Sequence, residues 1–362
     1  MDINSLARPE ILAMKAYESA RNSASADGIL LNANEAPFTH VDDPHWQRLC
    51  LNRYPAPQPA LLRSSLAELY GVAESRLLIT RGSDEGIDLL TRVFCRPGRD
   101  AVVECSPCFG MYRIAATIQG ARLIDVPRQA EKDFQIDFDA LQRVIVEQAD
   151  VHLVFLTSPN NPTGDLISRE QLEGVLTVCE SRALVVLDEA YIEFCDVASA
   201  SELTDRYPHL VVLRTLSKAW AAAGLRCGVV IAHPAVIDLL RRVIAPYPLA
   251  ATTIDAAMQA ISGNAMKRQN EFVKTVSQGR ADLNRFLLKS GCIEKIYPSA
   301  ANFILVRVED ANELVNWCAD RSIRIRNFTT QPQLEGCVRL TIGSPGEMAA
   351  LKSVLQAYGE RR

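Results

Sequence analysis

Seven short runs, LLIT (77–80), AVVEC (101–105), RLIDV (122–126), VHLVFL (151–156), ALVVL (183–187), LVVLR (210–214) and CGVVIA (227–232), are rich in Val, Leu and Ile and lack apolar–polar alternation. Strands of that composition are buried on both faces. Between and after them stand helical patterns: GSDEGIDLLTRVF, SPCFGMYRIAATI, SREQLEGVLTVCES, SKAWAAA and, last, PAVIDLLRRVI. Parallel strands require such crossovers, because the chain must return to the same end of the sheet before the next strand starts. The pattern predicts a large α/β domain built on a mostly parallel sheet between helices.

The texture changes near residues 260–280, where a polar helical stretch leads to FILVRV, ANELVNWCADR, IRIRNF and CVRLTIG. These strands alternate, which predicts a smaller α+β domain with one solvated or site-facing side. A length of 362 residues suits two domains. The expected boundaries are an N-terminal arm over 1–50 contributing to the small domain, a large domain over 51–270 and the small domain over 271–362. The opening MDINSLARPEILAMKAYESARN carries acids early and no apolar signal core, so it reads as an amphipathic helix, and the cytoplasm is the expected compartment. RYPAPQPA (53–60), with three prolines in eight residues, breaks regular structure and serves as a linker or a contact.

Composition removes several classes of function. Hydrophobic residues at 48 % and charged residues at 23 % are those of a globular protein. Lys plus Arg total 39 against 43 Asp plus Glu, net charge −4, so there is no basic excess for nucleic acid. No apolar run approaches the length needed to span a bilayer. Ten scattered cysteines suit reduced thiols. Only Cys105 and Cys108 are close, as C-x-x-C, and two packed thiols are the reading preferred over a redox pair. No second pair and no H-x-x-x-H accompanies them, so no metal site is expected.

In an open parallel sheet, ligands bind beyond the carboxyl ends of the strands. After LLIT come Arg81, Gly82, Ser83, Asp84 and Glu85, a helix start with free N–H groups suited to an anion, or plain helix initiation. After VHLVFL comes the turn that holds Asn161; after ALVVL come Asp188 and Tyr191; after LVVLR come Ser217, Lys218 and, eight residues on, Arg226. Singly, each has an ordinary structural use: a turn, a cap, a solvated Lys. Together they put an anion cup, an amide, an acid, a phenol, an amine and a guanidinium at one rim. Pyridoxal phosphate needs all six, since its aldehyde takes a Lys, its ring nitrogen an acid, its phenolic oxygen donors and its phosphate N–H groups with a cation. The glycine fingerprints of dinucleotide and nucleoside triphosphate sites are absent.

LNANE (31–35), RYP (53–55), RGSDEG (81–86), SPNNPTG (158–164), DEAYIEF (188–194), RTLSKAWAAAGLRCG (214–228) and VRLTIG (338–343) together resemble the histidinol-phosphate aminotransferase family, whose fold is the aspartate aminotransferase-like fold type I. The resemblance covers nearly the whole chain in order and spacing. It implies that Lys218 joins the cofactor aldehyde and that Asp188 pairs with the ring nitrogen. Asn161 and Tyr191 would bond the phenolic oxygen, and Tyr112 would stack on the ring. Ser83, with Asp84 and Glu85 at the helix start, would hold the phosphate together with Ser217 and Arg226. Tyr54 would reach the cofactor phosphate of a neighbouring subunit, which implies a homodimer with the arm at its contact. On the substrate side it implies Asn161, Arg339 for an anion, Arg326 for a phosphate, and Tyr17 for the partner's substrate phosphate. Arg suits these duties because its planar fork holds carboxylate and phosphate in two bonds.

The implied reaction is transamination of L-histidinol phosphate with 2-oxoglutarate, giving imidazole acetol phosphate and glutamate. A threonine-phosphate decarboxylase and an aromatic aminotransferase remain the alternatives, as their sites carry nearly the same residues. Two positions depart from the family pattern: Cys108-Phe109 stands where Thr-Tyr is usual, and Trp220 replaces a Phe.

Overall fold

The computed structural model describes residues 2–16 and 31–361, His45 by its backbone alone. The large domain holds β1 (Leu77–Thr80), β2 (Ala101–Glu104), β3 (Arg122–Asp125), β4 (Val151–Thr157), β5 (Leu184–Asp188), β6 (Leu210–Thr215) and β7 (Gly228–Ala232) in the order β1-β7-β6-β5-β4-β2-β3. Only β7 runs against the rest. Its reversal follows from the segment before it. SKAWAAA, expected as a helix, forms turns and a single 3-10 turn at Ala223–Leu225, too little chain to cross back. Since β1 pairs antiparallel with β7, the carboxyl ends of β1, β4, β5 and β6 still share one rim.

Residues of the central strands alternate between two cores. Leu153, Phe155, Leu184, Val186, Val211 and Leu213 face one, with the N-terminal segment and the helices Ser83–Phe94 and Pro234–Val243. Val154, Leu156, Val185, Leu187 and Val212 face the other, with the helices Ala60–Tyr70, Phe138–Glu147 and Arg169–Cys179. Period-two side chains buried on both sides explain why the sequence runs show no alternation. β3, at the sheet edge, is the one strand of this domain without a buried residue.

The second sheet is antiparallel, β10-β11-β9-β8, with β8 at Lys295–Ile296, β9 at Phe303–Arg307, β10 at Arg326–Asn327 and β11 at Cys337–Thr341. Ile304, Val306, Val338 and Leu340 pack against helices Gly263–Leu287, Ala311–Asp320 and Pro345–Glu360. The opposite face is buried too where Leu305 and Cys337 meet Phe134 of the large domain, so β9 does not show the alternating exposure expected of it. Helix Gly263–Leu287 runs through residue 270 unbroken, so a helix rather than a linker joins the domains.

The N-terminal arm departs from expectation. Among the described residues it is a 3-10 turn, Ile3–Leu6, then a five-residue helix, Pro9–Ala13, with Met14 already extended. Pro9 holds Arg8 out of helical conformation, which splits the segment. Ile3, Leu6, Ala7 and Ile11 are buried against Val93, Val236 and Leu240 of the large domain, not the small one. Arg242 fastens the arm's end by donating to the carbonyls of Ile11 and Leu12, at 3.1 and 2.7 Å. Tyr17 lies outside the described residues.

Candidate active site

A cleft of about 280 Å³ opens where β1, β4, β5 and β6 end, lined by Ser83, Asp84, Phe109, Thr157, Asn161, Asp188, Tyr191, Thr215, Ser217, Lys218, Arg226 and Arg339 among others. A second cavity, of about 510 Å³, lies on the other face of the rim, where Ser158, Leu187 and Glu189 point. Strand alternation divides the two. Thr157, Asp188 and Thr215 continue the row of Phe155, Val186 and Leu213 and so reach the cleft side, while their neighbours face away.

The anion cup forms at the start of helix Ser83–Phe94. Its cap is Gly82, which offers no side-chain acceptor, so the first-turn N–H groups stay open toward the cleft. Gly82 sits at φ +78, and a Cβ there would lie 2.8 Å from Arg226 Nη2. Backbone and guanidinium therefore close on one point. Arg226 donates to Ser217 Oγ at 3.4 Å and to Asp84 Oδ2 at 3.1 Å, and Thr215 Oγ1 donates to Ser217 Oγ at 2.9 Å. Glu85 does not join them. Its carboxylate accepts from the Arg81 amide at 2.6 Å and from the Arg81 guanidinium at 2.7 and 2.9 Å, turning the acid away from the cup.

Asp188 and Lys218 line the same cleft, and the charge of each acts on the other. Asp188 Oδ1 accepts from the Ala190 amide at 3.0 Å and Oδ2 from the Tyr112 hydroxyl at 2.9 Å. Burial pushes its carboxyl up to about 6 in spite of these bonds. Burial also lowers the Lys218 amine, and the cation of Arg339 adds to the effect. Nζ lies 5.4 Å from the centre of the Tyr191 ring. Tyr191 meets Phe303 edge to face at 5.3 Å, and burial pushes its phenol up to about 12.

The turn that carries Asn161 is built by its neighbours. Asn160, fully buried, donates to the Pro107 carbonyl at 2.9 Å and to Thr163 Oγ1 at 2.6 Å. Buried Arg128 pairs with Asp165 at 2.6 Å. Asn161 is thereby left to the cleft, where its Oδ1 accepts from Arg339. Gly164, at φ +84, passes so close to Ser299 that a Cβ would lie 2.3 Å from its Oγ, and its carbonyl accepts from the Ala300 amide at 2.8 Å. The two domains meet at this turn.

Arg339 and Arg326 stand opposite one another on β11 and β10. Arg339 lies over the rings of Phe303 and Phe328 at 4.9 and 5.5 Å, its Nε buried without a partner. Burial and the neighbouring Arg326 both lower its affinity for a proton. Arg326 is exposed, 5.8 Å from the Phe328 ring. Like charges placed directly opposite cost stability on the order of 1 kcal/mol, and an anion between them offsets it.

The structure corrects the assignment of Tyr112. Its ring is fully buried, stacked on Phe155 at 4.7 Å and 6°, and does not reach the cleft. Tyr112 belongs to the inward stripe with Ala115 and Ala116 on helix Met111–Gln119, a spacing that the sequence displays. Phe109, one residue ahead of that helix's cap, lines the cleft instead. Tyr54 also lies away from the cleft of its own chain, half exposed and stacked on Tyr247 at 4.5 Å. Glu35 of LNANE holds its loop, accepting from the Tyr54 amide at 2.7 Å and from Arg53 at 3.0 Å.

Arg214 was not singled out by sequence. Almost fully buried, it sits over the Tyr70 ring at 4.7 Å and pairs with Glu193 at 2.8 Å and Glu189 at 3.7 Å, the acids on either side of Tyr191. Its place at a strand end, in a run otherwise apolar, was the available signal. Cys105 and Cys108 carry free thiols; burial pushes Cys105 up to about 12 and Cys108 up as well, which makes both poor nucleophiles at neutral pH. Among the described residues no cluster of His, Cys, Asp and Glu is arranged to hold a metal, and no helix is long and apolar enough to cross a membrane.

These residues fit pyridoxal phosphate. The close approach of Gly82 and Arg226 and the open helix start suit a phosphate, while a buried acid and an amine of lowered basicity face one cleft. The fold and site thus define a pyridoxal-phosphate transferase, and the sequence model described as Aminotransferase class I and II matches residues 28–357. Histidinol-phosphate aminotransferases of Pectobacterium carotovorum subsp. carotovorum (strain PC1) and Sodalis glossinidius (strain morsitans) are 41% and 43% identical, over 98% of this chain and 98% of the first, and 99% of this chain and 97% of the second. The solved histidinol-phosphate aminotransferase of Sinorhizobium meliloti, in complex with pyridoxal-5'-phosphate, superposes with a TM-score of 0.78 at 25% identity, over 85% of this chain and 83% of that one. The chain belongs to the histidinol-phosphate aminotransferase family.

Proposed function

We propose that this enzyme transfers the amino group of L-histidinol phosphate to 2-oxoglutarate, in histidine biosynthesis. The observation that carries the reading is Lys218, Asp188 and Arg339 in one cleft, with Arg326 opposite Arg339 across the strands. Pyridoxal phosphate, when bound, supplies an aldehyde that condenses with amines and a ring that draws electrons from the adjoining carbon. Lys218 would hold that aldehyde, and its lowered basicity leaves more of the amine neutral, the form able to take a proton from the substrate's amine-bearing carbon. Asp188 would keep the ring nitrogen protonated, a cation that offsets the cost of its own buried charge. Asn161 and Tyr191 would orient the phenolic oxygen, and Phe109 would cover the ring face. Ser83, Asp84, Ser217 and Arg226 belong to the phosphate cup, the first two through their amides.

Arg339 and Arg326 would receive the substrate's anions, the phosphate of histidinol phosphate or the carboxylates of glutamate and 2-oxoglutarate. Substrate breadth then rests on how these two forks share the groups offered. The working form would be a cytoplasmic homodimer. Leu31, Phe38, Tyr54 and Leu61 expose apolar surface around the proline-rich loop, which supports a contact there. In that dimer Tyr54 and Tyr17 would reach the partner's cofactor phosphate and substrate phosphate. Sedimentation should give twice the chain mass, and Leu61→Glu should lower it.

The primary test is visible absorption of the cofactor-loaded enzyme. L-histidinol phosphate should bleach the yellow band and 2-oxoglutarate should restore it. A band that neither moves would overturn the substrate assignment. Release of carbon dioxide from threonine phosphate, without oxo-acid, would replace the transferase by a decarboxylase.

A further inference from the structure

We propose that Tyr112 is a positioning residue that acts through its hydroxyl: it fixes the Asp188 carboxylate in orientation and favours its ionised form. The proposal rests on reading the cleft as a pyridoxal-phosphate site. Tyr112 cannot meet a ligand, since its ring is fully buried between Phe155, stacked at 4.7 Å, and Phe109, edge to face at 5.9 Å. What reaches the site is its proton. The hydroxyl donates to Asp188 Oδ2 at 2.9 Å, while the Ala190 amide holds Oδ1 at 3.0 Å, so each carboxylate oxygen has its own donor.

A phenol has one proton to give. With it spent on Asp188, the 2.7 Å contact between Tyr112 Oη and Thr157 Oγ1 is a donation from Thr157. Thr157 and Asp188 are register partners on β4 and β5, so the chain Thr157 to Tyr112 to Asp188 is anchored at both ends by one sheet. Donation into the phenol oxygen strengthens its donation onward. Other groups act on the same carboxylate. Asp84, from the helix start, opposes its charge and Lys218, from the loop after β6, favours it, while Tyr191 lies beyond β5 and Cys108 faces Tyr112. Among them only Tyr112 donates a side-chain hydrogen bond to Asp188 in the described residues.

Tyr112→Phe deletes the hydroxyl and keeps the ring. The direct readout is the ionisation midpoint of Asp188 in cofactor-free protein, followed by infrared absorption of 13C-labelled aspartate and assigned by difference against Asp188→Asn. The midpoint should rise by about one pH unit, the tenfold effect of one hydrogen bond to a charged group. In the loaded enzyme kcat should fall about tenfold or more, with little change in KM for the amino donor. Phe155→Leu disturbs the stack but spares the hydroxyl, and should lower the melting temperature with the midpoint unmoved. An unmoved midpoint in Tyr112→Phe, or an equal shift in Phe155→Leu, overturns the proposal. Should Tyr112→Phe fail to fold, 3-fluorotyrosine placed at 112, a stronger donor, should lower the midpoint, and no change there overturns it. None of these titrations depends on which amine is the substrate, so a failure of the substrate assignment is read separately.

Discussion

The two walls of the cleft are made differently. On the large-domain side, Thr157, Asp188 and Thr215 end strands that are buried over nearly their whole length, and their partners are protein groups already in place. On the small-domain side, Arg326 and Arg339 oppose each other across β10 and β11, with Nε of Arg339 buried and unpartnered. The strand-end side chains of the first wall already have protein partners, whereas Nε of Arg339 on the second has none. Preorganisation of the first serves chemistry, because groups that need not move at the moment of reaction cost nothing to arrange. The second keeps a local repulsion that a bound anion relieves, so its energy goes into binding.

That contrast is broken most directly at Lys218. Lys218→Ala should leave folding and non-covalent uptake of the cofactor in place while turnover falls by roughly 10^4-fold or more, measured with L-histidinol phosphate. Ordinary turnover in the variant would remove the large-domain wall from the chemistry. Next in size is Asp188→Asn, with turnover down by roughly 10^2- to 10^3-fold. This variant also has a stability signature. Burial raises the Asp188 carboxyl from 3.8 to about 6, so in the cofactor-free protein its neutral form persists to higher pH than in the unfolded chain. The stability this contributes is fully present below about pH 4 and lost as pH rises through 6. Asn cannot ionise, so the melting temperature of cofactor-free Asp188→Asn should gain on the parent between those values and run parallel above them. Refutation would be a variant whose melting temperature, relative to the parent, stays level or falls between those values.

The large-domain wall was the legible one. Uninterrupted apolar runs locate buried strands, and a polar residue directly after such a run is at a rim whatever the packing of the rest. This is why Asp188, Lys218, Ser217 and Ser83 could be placed from sequence and are found together. The direction of β7 was not legible, because Ala-rich SKAWAAA has helical propensity yet is held as a loop by backbone bonds, the Ala222 amide donating to the Leu216 carbonyl and the Leu216 amide to the Cys227 carbonyl, each at 3.0 Å. The inward packing of Tyr112 had a cue in the helical stripe that it shares with Ala115 and Ala116. Arg214 could be seen only in three dimensions, since its partners Glu189 and Glu193 lie on a different turn and its stacking partner Tyr70 on a distant helix.

On the small-domain wall the effects should be smaller and should fall on KM. Arg339→Lys keeps the charge but loses the planar fork, and KM for 2-oxoglutarate should rise about tenfold with kcat little changed. A loss confined to kcat would place Arg339 with the chemical wall and dissolve the contrast.

Arg326→Gln gives the smallest and most discriminating effect. Removing the exposed member of the pair relieves the repulsion on Arg339, so the ligand-free protein should gain a few tenths of a kcal/mol in denaturant unfolding, on the scale of one cross-strand charge contact. Affinity should move the opposite way, with KM for L-histidinol phosphate up several-fold, and raised salt should shrink the difference because Arg326 is exposed. Stability and affinity changing in opposite senses at one residue is the mark of a charge kept for its ligand. If both fall together, Arg326 holds the fold and the two walls are alike.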